Sequence, residues 1–266
     1  MDYPFSLNEF SKLVDSLKGT EIANPSPIDK KTGIYYLILN LHSNLKLVLE
    51  LAQNNCKTQP LVTLGRMIID NYSILFLLTS FSSKEEQQLR YYLYLLDSIS
   101  MRSKSIQEFM EGMENNTPEN LFIDSNNTIN NDQKAINVIS SKIESENLSN
   151  ITTEKNLSIY NWKFVSIVPA NKNYYNWKEL YNISKIPKHF SSTIQKHFSA
   201  FVHGLGTVLI YQQRNKNIEE SVMSFLMIIQ FLSSQIILNE YPENTKDIEL
   251  DSEFLMNVNI SWNDWN

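Results

Sequence analysis

LVTLGRMIIDNYSILFLLTSF, residues 61–81, is the stretch that decides the fold, because it is apolar almost all the way round a helix. Pro60 precedes it in the position of a first helical turn and predicts a helix over about 59–80. A helix without a polar face must be surrounded by other elements, so this one is expected at the centre of a helical bundle. Arg66 and Asp70 are its charged residues.

Helix signals recur on both sides of this stretch. Capping boxes or a Ser-Pro start stand at residues 6–9, 26–27 and 82–85. The helices that they open are expected to end at Gly19, near Asn54 and near Met113. Further helices are predicted at about 189–213 and 218–239. The sequence therefore predicts an all-α fold, a bundle of about six to eight helices.

Residues 114–158 interrupt the helical pattern and are expected to be a partly ordered polar insertion. Residues 114–132 and 146–158 are rich in Asn, Ser, Thr and acidic side chains, and only 133–145 has amphipathic helical spacing. Residues 159–168 favour extended structure and predict a short β element.

The predicted organisation has two helical halves and a tail. An N-terminal half, 1–113, and a C-terminal half, 159–239, pack together as one domain on either side of the insertion. Residues 240–266 follow as an acidic tail, with seven acidic residues and one Lys. The rest of the chain carries 22 residues of each charge, so the tail accounts for the net charge of −6.

Composition narrows the classes of function. A neutral body with no basic stripe argues against a nucleic-acid partner. The single Cys56 excludes an intramolecular disulfide framework and a site with several Cys ligands. Four His and the absence of nucleotide-loop motifs leave no predicted metal site and no predicted cofactor.

One segment has the length of a membrane span. Residues 221–238, SVMSFLMIIQFLSSQIIL, are uncharged, but Ser and Gln interrupt them and no Lys/Arg cluster flanks them. A buried core helix is the preferred interpretation, so no membrane partner is expected. The N-terminus lacks the pattern of a secretory signal, and a cytoplasmic location is predicted. The abundance of Asn, Ile and Lys favours an AT-rich, bacterial genome.

Arg66 and Asp70 are the first candidate site residues. They stand four residues apart in the most apolar helix of the first half, where an unpaired charge costs several kcal/mol to bury. Two interpretations stay open. The residues form either a structural ion pair or the polar floor of a binding site.

The second candidate region is residues 196–204, KHFSAFVHG. Within a helix, Ser199 and His203 share one face, and Lys196 lies on the same side. His203 is either a hydrogen-bonded structural residue or a functional one. Gly204 and Gly206 require close packing or room for a ligand, because glycine weakens a helix interior.

These residues carry a resemblance to known proteins. The elements are the Arg66–Asp70 spacing, a Tyr-rich helix around Arg90, Leu180-Tyr181-x-x-Ser184, and Ser199-x-x-x-His203-Gly204. Together they resemble a group of uncharacterised bacterial all-helical proteins, over about residues 35–110 and 175–238. That group is similar to the HEPN superfamily, whose catalytic members are metal-independent ribonucleases of defence and toxin systems. In that superfamily four to six residues separate an Arg from the catalytic His, and here six residues separate Lys196 from His203.

Two functions follow from these observations. The first is a non-enzymatic helical module that binds a protein partner or small ligand in a pocket between the helices of Arg66 and His203. The alternative, implied by the resemblance, is a HEPN-like ribonuclease acting on RNA. In that case His203 would be the general acid/base and Lys196 or Arg66 would stabilise phosphate charge.

Overall fold

The computed structural model describes residues 2–19, 26–54, 56–112, 119–165, 173–202 and 215–263. Helices dominate these ranges, and the predicted all-α class is confirmed. Of the β element expected at 159–168, the described residues show only one isolated antiparallel bridge, between Phe164 and Tyr174. The described helices outnumber the predicted six to eight, because stretches expected to be loops are helical as well.

The α-helices are numbered here in chain order. They are α1 Tyr3–Ser16, α2 Lys30–Gln53, α3 Thr58–Thr79, α4 Lys84–Gly112, α5 Glu119–Ser145, α6 Glu154–Ser158, α7 Trp177–Ile183, α8 Lys188–Thr193, α9 Ser199–Val202, α10 Lys216–Glu240, α11 Pro242–Thr245 and α12 Ser252–Asn263. A 3₁₀ turn, Leu148–Ile151, follows α5, and a π-helical turn, Ile194–Phe198, joins α8 to α9.

Two helices begin at caps other than the expected ones. Asp2 caps α1 by accepting the N–H of Phe5, so Ser6 lies inside the helix, where it is buried. Asp29 caps α2 in the same way, three residues after the expected Ser26. In both cases a carboxylate reaches the free N–H groups of the first turn and adds a favourable charge there.

The chain forms two compact units, residues 1–81 with 176–266 and residues 82–175. The boundaries expected from the sequence, at 113 and 158, both lie inside the second unit. Residues 119–132 were expected to be loop and belong instead to α5. The polar composition of this region therefore marks an exposed helix and not the start of a loop.

The first unit is built around α3. Thirteen of its 22 residues are buried, and it packs against α2, α7, α9 and α10. Gly65 lies at the crossing with α10, where a Cβ atom would stand 2.9 Å from Cγ1 of Val222. The absence of a side chain at this position lets the two most apolar helices approach each other closely.

The acidic tail forms part of the first unit. Its helix α12 packs on α10, with Phe254 in edge-to-face contact with Phe231 at 5.5 Å between ring centroids. Near its end Trp262 packs on Phe76 of α3, with ring centroids 5.8 Å apart. Glu253, the acidic residue of α12, is exposed on the other side, while these aromatic rings anchor the helix, so α12 is amphipathic.

The second unit is a helical hairpin of α4 and α5. On α5, the buried residues and some of the half-buried ones recur at alternating steps of four and three, at 125, 129, 132, 136, 139 and 143. This is the spacing found along the seam of a coiled coil. One layer of the seam is polar: Asp132 accepts hydrogen bonds from Ser103 and Arg102 of α4.

Arg90 connects α4 to the last part of the second unit. Its side chain is fully buried and pairs with Glu86 at 2.5 Å. It also donates hydrogen bonds of 2.8 Å to the carbonyl oxygens of Trp162 and Phe164. The Phe164 ring lies 4.0 Å from the guanidinium carbon. These contacts satisfy the buried charge and hold residues 162–164 against the hairpin.

Candidate functional site

Arg66 and Asp70 form an ion pair on one face of α3. Nε of Arg66 donates to Oδ1 of Asp70 at 2.9 Å, and the two side chains keep 13% and 25% of their surface exposed. The pairing follows from the spacing of four residues, which brings side chains one helical turn apart into contact. The partial exposure places this pair at the edge of the core.

The same guanidinium group reaches a segment more than 120 residues further along the chain. Nη1 of Arg66 donates to Oγ of Ser199 at 2.7 Å and to the carbonyl oxygen of Ile194 at 3.3 Å. These acceptors stand at the start of the π-helical turn and just after its end. The sequence suggested that Ser199 belongs to the same site as Arg66, and the structure places the two in contact.

The π-helical turn at Ile194–Phe198 was not apparent from the sequence, which predicted an uninterrupted helix over about 189–213. A π turn carries an extra residue and is weaker than an α turn, and such turns are common at functional sites. Arg66 bonds to both sides of this turn and so offsets part of the cost of the irregular backbone.

Tyr181 completes the group of side chains. Its hydroxyl donates to Oδ1 of Asp70 at 2.5 Å, and its ring centroid lies 5.3 Å from the guanidinium carbon of Arg66. Tyr181 was noted only as part of the resemblance, because nothing in its local sequence shows that α7 returns to α3. We call Arg66, Asp70, Tyr181 and Ser199 the Arg66 cluster.

The environment of the cluster changes the acidity of two of its members. Burial raises the pKa of Asp70, while the Tyr181 hydroxyl and Arg66 act in the opposite direction. Burial and the neighbouring Asp70 carboxylate raise the pKa of Tyr181, so its hydroxyl keeps its proton and remains a donor. The cluster as a whole pairs one guanidinium with one carboxyl group.

The Arg66 cluster belongs to a longer row of polar contacts on α3. Gln59 donates to the carbonyl oxygen of Phe201 at 3.3 Å, and the hydroxyls of Ser73 and Ser184 are 3.2 Å apart. Gln59, Arg66, Asp70 and Ser73 are spaced by seven, four and three residues, so they share one face. This α3 polar stripe orients the helix relative to residues 176–202.

Of the two candidate catalytic residues, Lys196 and His203, only Lys196 lies among the described residues. Lys196 lies on the π-helical turn with its side chain exposed. His203, Gly204 and Gly206 lie outside the described residues, so the meeting of His203 with Arg66 stays a prediction. His197, which the sequence did not single out, packs edge-on against Phe201 at 5.3 Å between centroids.

A positively charged segment surrounds these residues and was not predicted from the sequence. Residues 180–218 contain no Asp or Glu, but they hold five Lys or Arg and three of the four His. The overall neutrality of the body concealed this positive segment, because acidic residues elsewhere balance it. A count in windows of about 40 residues would have found it.

Two open cavities in the described part of the chain lie along the first half of α10, and Arg66 lines neither of them. No group of three or more His, Cys, Asp or Glu within the described ranges could hold a metal ion.

Two described helices, Thr58–Thr79 and Lys216–Glu240, are long and apolar enough to cross a membrane. In each, the protein buries most of the apolar window, 67% in the first and 61% in the second. A core helix of a soluble protein has the same properties, so the predicted cytoplasmic location and the absence of a membrane partner stay predictions. No protein-family model, curated protein or solved structure matches the chain.

Proposed function

We propose that this protein is a helical binding module whose Arg66 cluster holds an anionic oxygen of a small ligand or of a partner side chain. The observation that carries the proposal is the convergence of four polar side chains from α3, α7 and α9 at the edge of the core. Such an arrangement is preorganised, because each side chain is held by another before any ligand arrives.

The donors of the cluster define the chemistry of the ligand. No described residue accepts a hydrogen bond from Nη2 of Arg66, whereas Nε and Nη1 are engaged. The Ser199 hydroxyl accepts from Arg66, so its own hydrogen is available to a ligand. A guanidinium edge beside a hydroxyl donor suits a carboxylate or phosphate oxygen.

Thermal-shift measurements with small carboxylates and phosphates test the proposal. A compound that binds the folded protein raises the melting temperature as its concentration rises above the dissociation constant. Arg66→Lys keeps the charge but loses the planar donor edge, so it should abolish the shift. Ser199→Ala should weaken it.

Ser192→Ala provides the matched control, because Ser192 is a half-buried serine of α8 outside the cluster. The shift should survive in this variant. A wild-type protein that none of the compounds stabilises, or shifts that are equal in Ser199→Ala and wild type, would contradict the proposal.

The alternative is a HEPN-like metal-independent ribonuclease, and one observation favours it. The exposed Lys196 lies three residues from Ser199, within an acid-free segment that also contains His203. Under this alternative, purified protein cleaves RNA in the presence of EDTA, and His203→Ala and Lys196→Ala each reduce the rate without lowering the melting temperature. Absence of EDTA-resistant cleavage by the wild-type protein would contradict this alternative.

A further inference from the structure

The first half of α10 is flanked by two open cavities. One has a volume of about 620 Å³ and lies between α10, the start of α1 and the end of α2. The other has a volume of about 370 Å³ and lies between α10 and Phe190 of α8. Glu220 and Ser224 line both cavities, so the cavities lie on either side of one edge of α10. We call the two cavities together the α10 groove.

The walls of the α10 groove are apolar in part, with polar side chains beside the apolar ones. Tyr3, Met223 and Met227 line the larger cavity. Phe225 and Phe190 line the smaller one, with their rings in edge-to-face contact at 4.3 Å between centroids. Methionine side chains are flexible and adapt to different partner surfaces, whereas the packed aromatic pair gives a fixed wall. The combined volume is in the range that accepts several apolar side chains.

The charges of the groove are mainly negative. Asp2, Glu219 and Glu220 line it, against the single Lys216. Glu219 is buried, whereas Glu220 is exposed on the edge between the two cavities. An acidic edge over an apolar floor is complementary to a surface that carries apolar side chains on one side and basic side chains beside them.

We propose that the α10 groove binds a basic amphipathic helix of a partner protein. The apolar side chains of that helix, spaced by three and four residues, would enter the two cavities, and its Lys or Arg side chains would pair with Glu220 and Asp2. The groove shares no lining residue with the Arg66 cluster, so this inference goes beyond the function proposed above and stands independently of it.

Fluorescence anisotropy with a designed helical peptide of Leu and Lys, with Leu at i, i+3, i+4 and i+7, tests the inference on the full chain. A peptide in which Glu replaces every Lys is the matched probe. The Lys peptide should bind about tenfold more tightly than the Glu peptide, and added salt should reduce the difference. Equal binding of the two peptides would overturn the charge assignment.

Two variants locate the binding surface. Glu220→Arg should weaken binding of the Lys peptide about fivefold or more, because it removes the negative edge of the groove. Glu253→Arg makes the same change in net charge at an exposed position of α12 outside the groove, and it should change the affinity less than about twofold. Equal losses in the two variants would show that net charge, and not the groove, attracts the peptide.

A third variant tests the apolar floor. Met223→Gln keeps the size and flexibility of the side chain but places an amide in the larger cavity, so it should also weaken binding. Circular dichroism of each variant establishes that the fold is retained. An unchanged affinity in a folded Met223→Gln protein would overturn the placement of the peptide in the groove.

Discussion

His42 is a histidine held in its neutral form by its surroundings. Nε2 lies 2.8 Å from Oγ of Ser11, and the ring packs edge-on against Phe10. Burial, with a smaller effect of Lys46, lowers the pKa of His42 to about 4, although the charge of Asp15 opposes this shift. In the unfolded chain the same side chain titrates near its ordinary value of 6.5.

The lowered pKa of His42 predicts a loss of stability in acid. Between about pH 6.5 and pH 4 the unfolded chain binds a proton that the folded chain does not, so the free energy of unfolding falls as the pH falls. We expect His42 to contribute about 2–3 kcal/mol to this fall. Urea unfolding at several pH values should show that the free energy of unfolding of His42→Gln falls less steeply with falling pH than that of the wild type. Identical pH profiles for the variant and wild type would contradict this assignment.

The sequence could predict part of the Arg66 cluster. The spacing of Arg66 and Asp70 on an apolar helix already implies that they pair, and the helical face of Ser199 made it a candidate. Tyr181 could not be found in this way, because its contact depends on the path of α7 back to α3. The binding role of the cluster remains a prediction.

At the scale of helices, the contact of α3 with α10 depends on Gly65. A methyl group there would meet Val222, whose branched side chain is fully buried and cannot move aside easily. We expect Gly65→Ala to lower the free energy of unfolding by about 1–3 kcal/mol. Gly112→Ala is the matched control, since nothing lies within 4 Å of its Cβ position, and it should change stability by less than about 0.5 kcal/mol. A fully stable Gly65→Ala protein would show that the two helices are further apart.

The hairpin of α4 and α5 shows why its heptad pattern was not apparent from the sequence. Two seam positions of α5, Ser125 and Asp132, are polar, and the surrounding residues are rich in Asn. Apolar periodicity therefore covers only the second half of α5, which is the part that was predicted as a helix. The buried hydrogen bonds of Asp132 are visible only once α4 is placed beside it.

The polar layer of the hairpin gives a prediction about register. Asp132→Ala removes the acceptor for Ser103 and Arg102 and should cost about 1–3 kcal/mol in the free energy of unfolding. Asp132→Leu combined with Ser103→Leu continues the apolar seam and should regain most of that loss. Chemical denaturation measures both. A double variant that is less stable than Asp132→Ala would show that Asp132 and Ser103 do not face each other between α4 and α5.

At the scale of the whole chain, the second unit has a core of its own. Its fully buried apolar side chains come from α4, α5 and the segment that follows, and include Leu93, Leu96, Ile139 and Phe164. We therefore expect a fragment of residues 82–175 to fold alone and to give a helical circular dichroism spectrum. A fragment of residues 82–145 lacks Phe164 and the carbonyl partners of Arg90, and should melt at a lower temperature. A disordered 82–175 fragment would contradict the division into units.

The division into these two units was not predicted from the sequence, because the predicted boundaries follow changes in composition. The structure divides the chain after residues 81 and 175, because the residues on each side contact mainly their own unit. Helix α4 carries apolar side chains on one face and follows the first half directly, although its buried side chains pack within the second unit. Composition alone could not distinguish these two packing arrangements.

The central claim is that Arg66 connects α3 directly to the π-helical turn and Ser199, 133 residues further along the chain. A double-mutant cycle with Arg66→Ala, Ser199→Ala and the combined variant, measured by urea unfolding, tests this contact most directly. We expect a coupling energy of about 1 kcal/mol or more, because a charged donor bonds to a half-buried hydroxyl. Effects that add to within about 0.3 kcal/mol would show that the two side chains do not interact, and would contradict the site.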